Sequence, residues 1–277
     1  MKFKTIFIIF NTIIGVSFVI LFILPFIFLE ISQFSIIFST NWIILCIFLL
    51  FIIIFNTYFV KNWKLFKLIE KENWENLIIY LEKKTYEKKK YSKSNIKMLI
   101  NCYIVMSKIE SIEKLYSFLY RNKKQIIYCF PLEFGIPFLL TNSPEESEKY
   151  FKELLEQKNV KEKNWINWNY AFSLMRQDKK EGTINIFSEL INEKMEPILN
   201  LLTLYMYYPL VKNNPDKFKN VLTKISEFLS EYSPVNWEKY LEKEKKNIQA
   251  IILSKIIVEA SGWIFNLNKK EESETLQ

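Results

Sequence analysis

Ser111-Ile112-Glu113-Lys114-Leu115-Tyr116-Ser117-Phe118-Leu119 returns 36 residues later as Ser147-Glu148-Lys149-Tyr150-Phe151-Lys152-Glu153-Leu154-Leu155. After a further 36 it returns as Thr183-Ile184-Asn185-Ile186-Phe187-Ser188-Glu189-Leu190-Ile191. Each copy sets a small residue before apolar residues four, seven and eight positions on, offsets that fall on one face of an α-helix. The preceding helix repeats too: Phe134-Gly135-x-x-Phe138 stands 36 residues before Tyr170-Ala171-x-x-Leu174. Two helices per period of about 20–50 residues predict a stacked solenoid, in which each pair buries its apolar face against the next. Gly135 and Ala171 are expected to let neighbouring helices approach closely. Weaker copies, out of strict register, flank the set at Leu77, Tyr80 and Leu81 and at Phe218, Leu222 and Ile225. The alternative to a solenoid is an irregular helical bundle.

At these residues the chain resembles the tetratricopeptide-repeat family of helix-turn-helix solenoids. Phe134, Gly135 and Phe138 meet the family's large-small-x-x-aromatic first helix. Ser147/Phe151 and Thr183/Phe187 meet its small-x-x-x-aromatic second helix. The departures are a period of 36 where the family usually has 34, Leu154 and Leu190 where a second small residue is usual, and no closing Pro in register. The resemblance covers roughly 95–230 and implies about five to six helix pairs.

Gly and Pro fall mainly at the breaks between periodic runs, and no strand-like alternation extends beyond a few residues, so the fold class is all-α. Ser143-Pro144-Glu145-Glu146 has an N-cap Ser, a Pro at the first helical position and a Glu placed for a capping box. Asn214-Pro215 and Ser233-Pro234 follow the same logic. The expected organisation is juxtamembrane helices and a basic loop over 61–94, repeats over 95–232, closing helices over 233–267 and a polar tail over 268–277.

The repeats are preceded by a segment of another kind. Residues 1–60 carry only Lys2, Lys4 and Glu30 as charges, so +7 of the net +8 falls on the remainder. Thr5–Leu29 and Ile31–Val60 are uncharged, and a membrane span needs about 20 apolar residues. Two spans are expected, over about 6–29 and 41–60, with a short turn from Glu30 to Asn41. Trp42 and the pair Tyr58/Trp63 are then placed at opposite interfaces. A secretory signal peptide is the competing reading of the first run, but 25 apolar residues exceed its apolar region and no small-x-small cleavage site follows. Lys2 and Lys4 before the first span, and Lys61, Lys64 and Lys67 after the second, predict both termini in the cytoplasm of a cell with an inner-membrane anchor. Asn11, Gly15 and Asn56 lie within the spans. A third span over Ile248–Phe265 is disfavoured by Lys255 and Glu259 in mid-run, so a buried closing helix is expected there.

The chain contains no His, which excludes His-based general-base catalysis, His–Cys zinc sites and His haem ligation. Four scattered Gly leave no phosphate-binding loop. Cys46, Cys102 and Cys129 lie at apolar positions without a CxxC spacing. The carboxylates alternate with Lys at helical spacing, as on a solvated face. No enzyme activity and no cofactor are expected. Lys outnumbers Arg 36 to two, a bias that an AT-rich genome produces regardless of function.

Two surfaces remain as candidates for binding. Trp165, Trp168, Tyr170 and Phe172 crowd one helix, and Tyr205, Tyr207 and Tyr208 another; these aromatics either pack the core or line a groove. Trp165, Asn167, Asn169 and Arg176 are the candidate contacts for a protein or peptide partner in that groove. Lys61, Lys64, Lys67, Lys83, Lys84, Lys88, Lys89 and Lys90, with Lys93 nearby, are the candidate membrane-surface contacts. A solvated loop and anionic lipid headgroups both fit that basic cluster, and nucleic acid is not expected. The expected protein is a membrane-anchored helical-repeat scaffold. A structural subunit assembled through its transmembrane hairpin is the alternative.

Overall fold

The computed structural model describes residues 3–28, 31–140, 143–158, 160–245 and 247–274; of residues 22, 25–26, 31–38, 40–41 and 268–274 it describes the backbone. Every regular element among them is helical. The chain forms two compact units, Met1–Cys102 and Tyr103–Gln277.

The first unit opens with α1 (Phe3–Phe18), a π-helical turn (Val19–Ile23) and α2 (Leu24–Phe28). The π-turn precedes Pro25, which has no N–H to offer the carbonyl four residues back. The ladder widens instead, and the Leu24 N–H reaches the Val19 carbonyl. The next helix, α3 (Ile31–Glu70), is 40 residues long and returns along α1. Phenylalanines join the two: Phe3 stacks on Phe66 with centroids 5.1 Å apart, Phe7 meets Phe59 at 5.2 Å, Phe10 meets Phe55 at 3.6 Å and Phe18 meets Phe48 at 6.2 Å. Partner numbers fall on α3 as they rise on α1, so the pair is antiparallel. The Phe3 N–H donates to Glu70 Oε2 at 3.1 Å and closes the open end.

Two helices of this unit, Phe3–Leu21 and Trp42–Glu70, are long and apolar enough to cross a membrane. Their outer faces expose Ile8, Ile13, Ile20, Ile43, Ile47 and Ile54. Asn11 and Asn56 donate to their own helix at Phe7 O (2.9 Å) and Ile52 O (3.0 Å), so each amide finds an acceptor without a partner helix. A Cβ on Gly15 meets nothing within 4 Å, so this glycine marks no close approach. The turn expected from Glu30 to Asn41 is helical from Ile31 onward. No Pro or Gly interrupts that stretch, so nothing breaks the ladder. Leu29 and Glu30 lie outside the described residues. After α3 come α4 (Trp74–Glu82), a π-turn (Lys83–Glu87) and α5 (Lys93–Val105), within which the units divide.

The second unit continues with α6 (Ile109–Asn122), a 3₁₀ turn (Lys124–Cys129), α7 (Pro131–Leu140), α8 (Pro144–Leu155), α9 (Lys163–Met175), α10 (Lys180–Leu190), α11 (Pro197–Val211) and α12 (Pro215–Glu231). Each packs on the next as an antiparallel hairpin. The Ser147 and Ser173 hydroxyls meet at 2.7 Å where α8 begins and α9 ends, and Asn164 near the start of α9 donates to Lys194 O beyond the end of α10 at 3.4 Å. The α7, α9 and α11 helices adjoin as one layer. The repeated positions form the core: Leu115, Leu119, Phe151, Leu154, Phe187 and Leu190 are buried, as are the small residues Ser147 and Thr183. Gly135 lies so close to α8 that a Cβ there would stand 2.8 Å from Phe151 Cζ. Ala171 is likewise buried.

Helix ends follow the sequence in part. Asn214 and Ser233 cap α12 and α13 (Pro234–Glu244) through Lys217 N at 3.1 Å and Asn236 N at 3.3 Å, whereas the Ser143 side chain makes no cap hydrogen bond. Three helices stop at a left-handed residue with the N–H after it bonded five residues back. These are Glu72 (Asn73 to Leu68), Ser107 (Lys108 to Tyr103) and Asp178 (Lys179 to Leu174). Glycine is the usual residue for that closing turn. The downstream weak copy is out of register: Val221, Ile225 and Phe228 are buried and Leu222 is exposed.

The closing segment comprises α13, α14 (Ile248–Ile252) and α15 (Ser254–Glu274). Leu253, Ile257, Ala260 and Ile264 make a buried stripe at helical spacing, with α15 against α11 and α12 and α14 against α7. The segment packs as a closing helix, and α15 runs on to Glu274, into the expected polar tail.

Candidate functional site

The four residues expected to line a groove do not all share one face. Positions 165, 169 and 176 share one face of α9, and 167 lies opposite, because residues advance by about 100° in a helix. Trp165 is 4% exposed and its indole N–H donates to Glu196 Oε2 at 3.0 Å. Asn169 is fully buried, and neither polar atom of its side chain has a hydrogen-bond partner among the described residues. Arg176 is exposed and donates from Nη1 to Leu139 O at 3.3 Å; Asn167 is half-buried. The reason is position: α9 lies between α7 and α11 in its layer and packs on α8 and α10, which leaves it little free surface. The α11 tyrosines are also engaged. Tyr207 is buried, and Tyr205 and Tyr208 hold Trp263 of α15 edge-on at 5.5 and 5.3 Å.

The open site lies on the other layer, between α6 and α8. It is a cleft of about 400 Å³ floored by Phe138 and walled by Tyr116, Tyr120 and Tyr150, with Glu113, Glu146, Glu153, Arg121 and Lys149 around it. The spacing explains it. On α6, Ile112, Leu115 and Leu119 face inward, so Glu113, Tyr116, Ser117 and Tyr120 occupy the flank. The aromatics brace one another: Phe138 stacks on Tyr150 at 4.6 Å, and Tyr116 meets both edge-on at 5.3 and 5.5 Å. Tyr150 donates to Pro131 O at 2.7 Å. Its hydroxyl pKa is held well above the usual range by burial. Tyr116 is pushed up to about 12, first by burial and then by the Glu153 carboxylate. Both phenols therefore stay neutral at physiological pH.

At the rim, Lys124 Nζ lies 2.5 Å from Glu153 Oε1, donates to the Tyr120 hydroxyl at 3.1 Å and sits over the Tyr120 ring at 4.3 Å. The hydrogen bonds to Glu153, Tyr120 and Tyr128 push its pKa far upward, so it remains a fixed cation. A rigid aromatic wall with charges of both signs suits a large side chain carrying a polar end. None of these residues was among the sequence-derived candidates. The available signal was Tyr116 and Tyr120, four apart on the flank of α6 beside its core stripe.

The candidate membrane-contact lysines belong to the first unit. Lys61, Lys64, Lys67, Lys88, Lys89 and Lys90 are exposed. Lys83 lies 3.8 Å from Glu87, and Lys84 is half-buried with its ammonium over the Tyr80 ring at 4.6 Å. Lys64 approaches the same ring at 5.5 Å.

The profile of a family described as "Uncharacterised Treponema protein" matches residues 111–266, more than half of the chain. The chain belongs to this family. The matched region runs from the start of the first repeat copy, in α6, into α15, and so takes in the helical pairs and most of the closing segment of this chain. A curated relative, an uncharacterized protein of Treponema pallidum (strain Nichols), is 21% identical over 235 residues, covering 79% of this chain and 74% of that protein. That coverage exceeds the family region, so the likeness to this relative extends ahead of Ser111. No solved structure matches the chain.

Proposed function

We propose that the protein is a membrane-anchored helical-repeat adaptor of the tetratricopeptide type, which holds a protein partner at the cytoplasmic face of a bacterial inner membrane. The cleft between α6 and α8 carries this reading. Its aromatic walls are pre-ordered by their own stacking, so a partner side chain entering it pays little to organise the site. Two further features support the proposal: two helices of spanning length, and lysines gathered beyond the end of the second one.

A photo-crosslinking amino acid at Ser117, at the cleft, and at Asn185, on the exposed side of α10, tests it in the native membrane. Position 117 is expected to yield one discrete protein adduct that Tyr120→Ala abolishes. An adduct formed equally from position 185, or none from 117, would count against the cleft. Deletion of residues 1–60 separates the two classes of reading. An adaptor keeps its partner when released from the membrane, whereas a subunit assembled through the hairpin loses it.

A further inference from the structure

The open end of the N-terminal hairpin holds a second cavity, of about 260 Å³, lined by Phe3, Lys4, Trp63, Phe66, Lys67, Glu70 and Lys71. On the α3 side the lining residues recur at three- and four-residue spacing and so form one face turned toward α1. Its parts have separate tasks. The Phe3–Phe66 stack, with ring planes 17° apart, is the floor. Glu70, the acid among the described lining residues, accepts the Phe3 amide N–H on Oε2 at 3.1 Å. Lys4, Lys67 and Lys71 surround the opening, and none of them takes part in an ion pair among the described residues. The cavity therefore presents three ammonium groups and one carboxylate over an aromatic floor, a net positive charge of two.

Its level along the hairpin specifies the ligand. The uncharged runs end at Thr5 and Val60, and Trp63, 39% exposed, stands where an indole prefers the water–hydrocarbon boundary. Lys67 and Lys71 follow Trp63 by about one and two helical turns, roughly 6 and 12 Å at 1.5 Å per residue. That is the depth of lipid phosphates. We infer that this cavity is a binding site for the headgroup of an anionic glycerophospholipid, with its phosphate among Lys4, Lys67 and Lys71 and its glycerol end against Trp63 and Phe66. The inference rests on the reading of α1 and α3 as membrane spans, and it differs from general attraction of a basic surface. The exposed Lys88, Lys89 and Lys90 attract any anionic lipid equally, whereas a walled cavity selects one headgroup and retains it.

The test uses the full chain reconstituted in vesicles of equimolar phosphatidylcholine and phosphatidylglycerol, extracted gently and weighed with its bound lipid by native mass spectrometry. Phosphatidylglycerol is expected to be retained over phosphatidylcholine. The variant Lys4→Gln/Lys67→Gln/Lys71→Gln is expected to weaken retention roughly a hundredfold, since each lysine near a membrane surface contributes about a fivefold effect. Lys88→Gln/Lys89→Gln/Lys90→Gln, which removes the same charge elsewhere, is expected to retain the lipid. A triple Lys→Arg variant at 4, 67 and 71 should retain it too, which separates loss of charge from failure to fold. Equal retention of both lipids, or equal loss in the two Gln variants, overturns the site. Displacement of the lipid by free glycerol phosphate or inorganic phosphate overturns the lipid as the occupant. An integral chain that retains no phosphatidylglycerol overturns the site alone, whereas a chain stripped from membranes by alkaline carbonate overturns the anchor and the site together.

Discussion

Gly135 shows how much of the repeat depends on single atoms. A Cβ there would lie 2.8 Å from Cζ and 3.0 Å from Cε1 of Phe151, which is itself fully buried. Gly135→Val is therefore expected to cost about 1–3 kcal/mol by overpacking and to lower the melting temperature by roughly 3–10 °C. At Gly262, on α15, a Cβ meets nothing within 4 Å, so Gly262→Ala should raise it by a few degrees, as helix propensity alone dictates, by about 1 kcal/mol. Thermal melts of the solubilised chain measure both. Asn169 poses the reverse case, a buried amide with no hydrogen-bond partner among the described residues. Asn169→Leu should stabilise the protein by about 1–3 kcal/mol in the same assay, and a loss of stability would show that the amide is satisfied after all. Glu148 sets an acid dependence. Burial raises its pKa, but hydrogen bonds from Lys179 Nζ (2.6 Å) and Gln177 Nε2 (2.8 Å) outweigh that and hold it below the ordinary 4.5. A depressed folded pKa means stability that is present above the carboxylate range and lost as pH falls through it. In denaturant titrations, Glu148→Gln should be weaker than the parent at neutral pH, with the gap closing in acid. A gap constant with pH would refute the linkage.

Individual helices show where local signals suffice and where they do not. Asn214 and Ser143 look alike in sequence, each a capping residue before Pro, yet only Asn214 makes the bond. Asn214→Ala should cost about 1 kcal/mol and Ser143→Ala under about 0.5 kcal/mol, as equilibrium unfolding will show. The two long apolar helices were legible because uncharged runs of that length suit a helix of spanning length. Their boundary was not: α3 begins at Ile31 because a helix continues until something stops it, and residues 31–41 contain no breaker. The register of the downstream copy was hidden for a related reason. Phe218, Leu222 and Ile225 fit a helical face as well as Val221, Ile225 and Phe228 do, and contact with α11 and α15 selects the second set.

Across the second unit, the last helices govern what the earlier ones can do. Because α15 covers α11 and α14 reaches α7, the layer expected to offer a groove is covered by the chain itself, and the accessible cleft lies on the α6–α8 side. Removing residues 247–277 should expose the Tyr205/Tyr208 face, increase binding of a hydrophobic dye and broaden the thermal transition. A truncated chain that melts as sharply as the parent, without added dye binding, would show that α14 and α15 are dispensable.

The sequence by itself determined what periodicity and charge can encode. That includes the all-helical class, the 36-residue pairing with its small-residue contacts, the two apolar runs and the lysines beyond them. These are local properties, fixed by which face of a helix is apolar and by the cost of burying charge. Only the tertiary structure decided which aromatics are core and which are surface. Trp165 and Tyr120 are both aromatic residues of amphipathic helices. One is enclosed because α9 has neighbours on both sides in its layer, and the other borders an open cleft on the flank of α6. Exposure depends on how many helices surround a given face, and that is a property of the assembled unit.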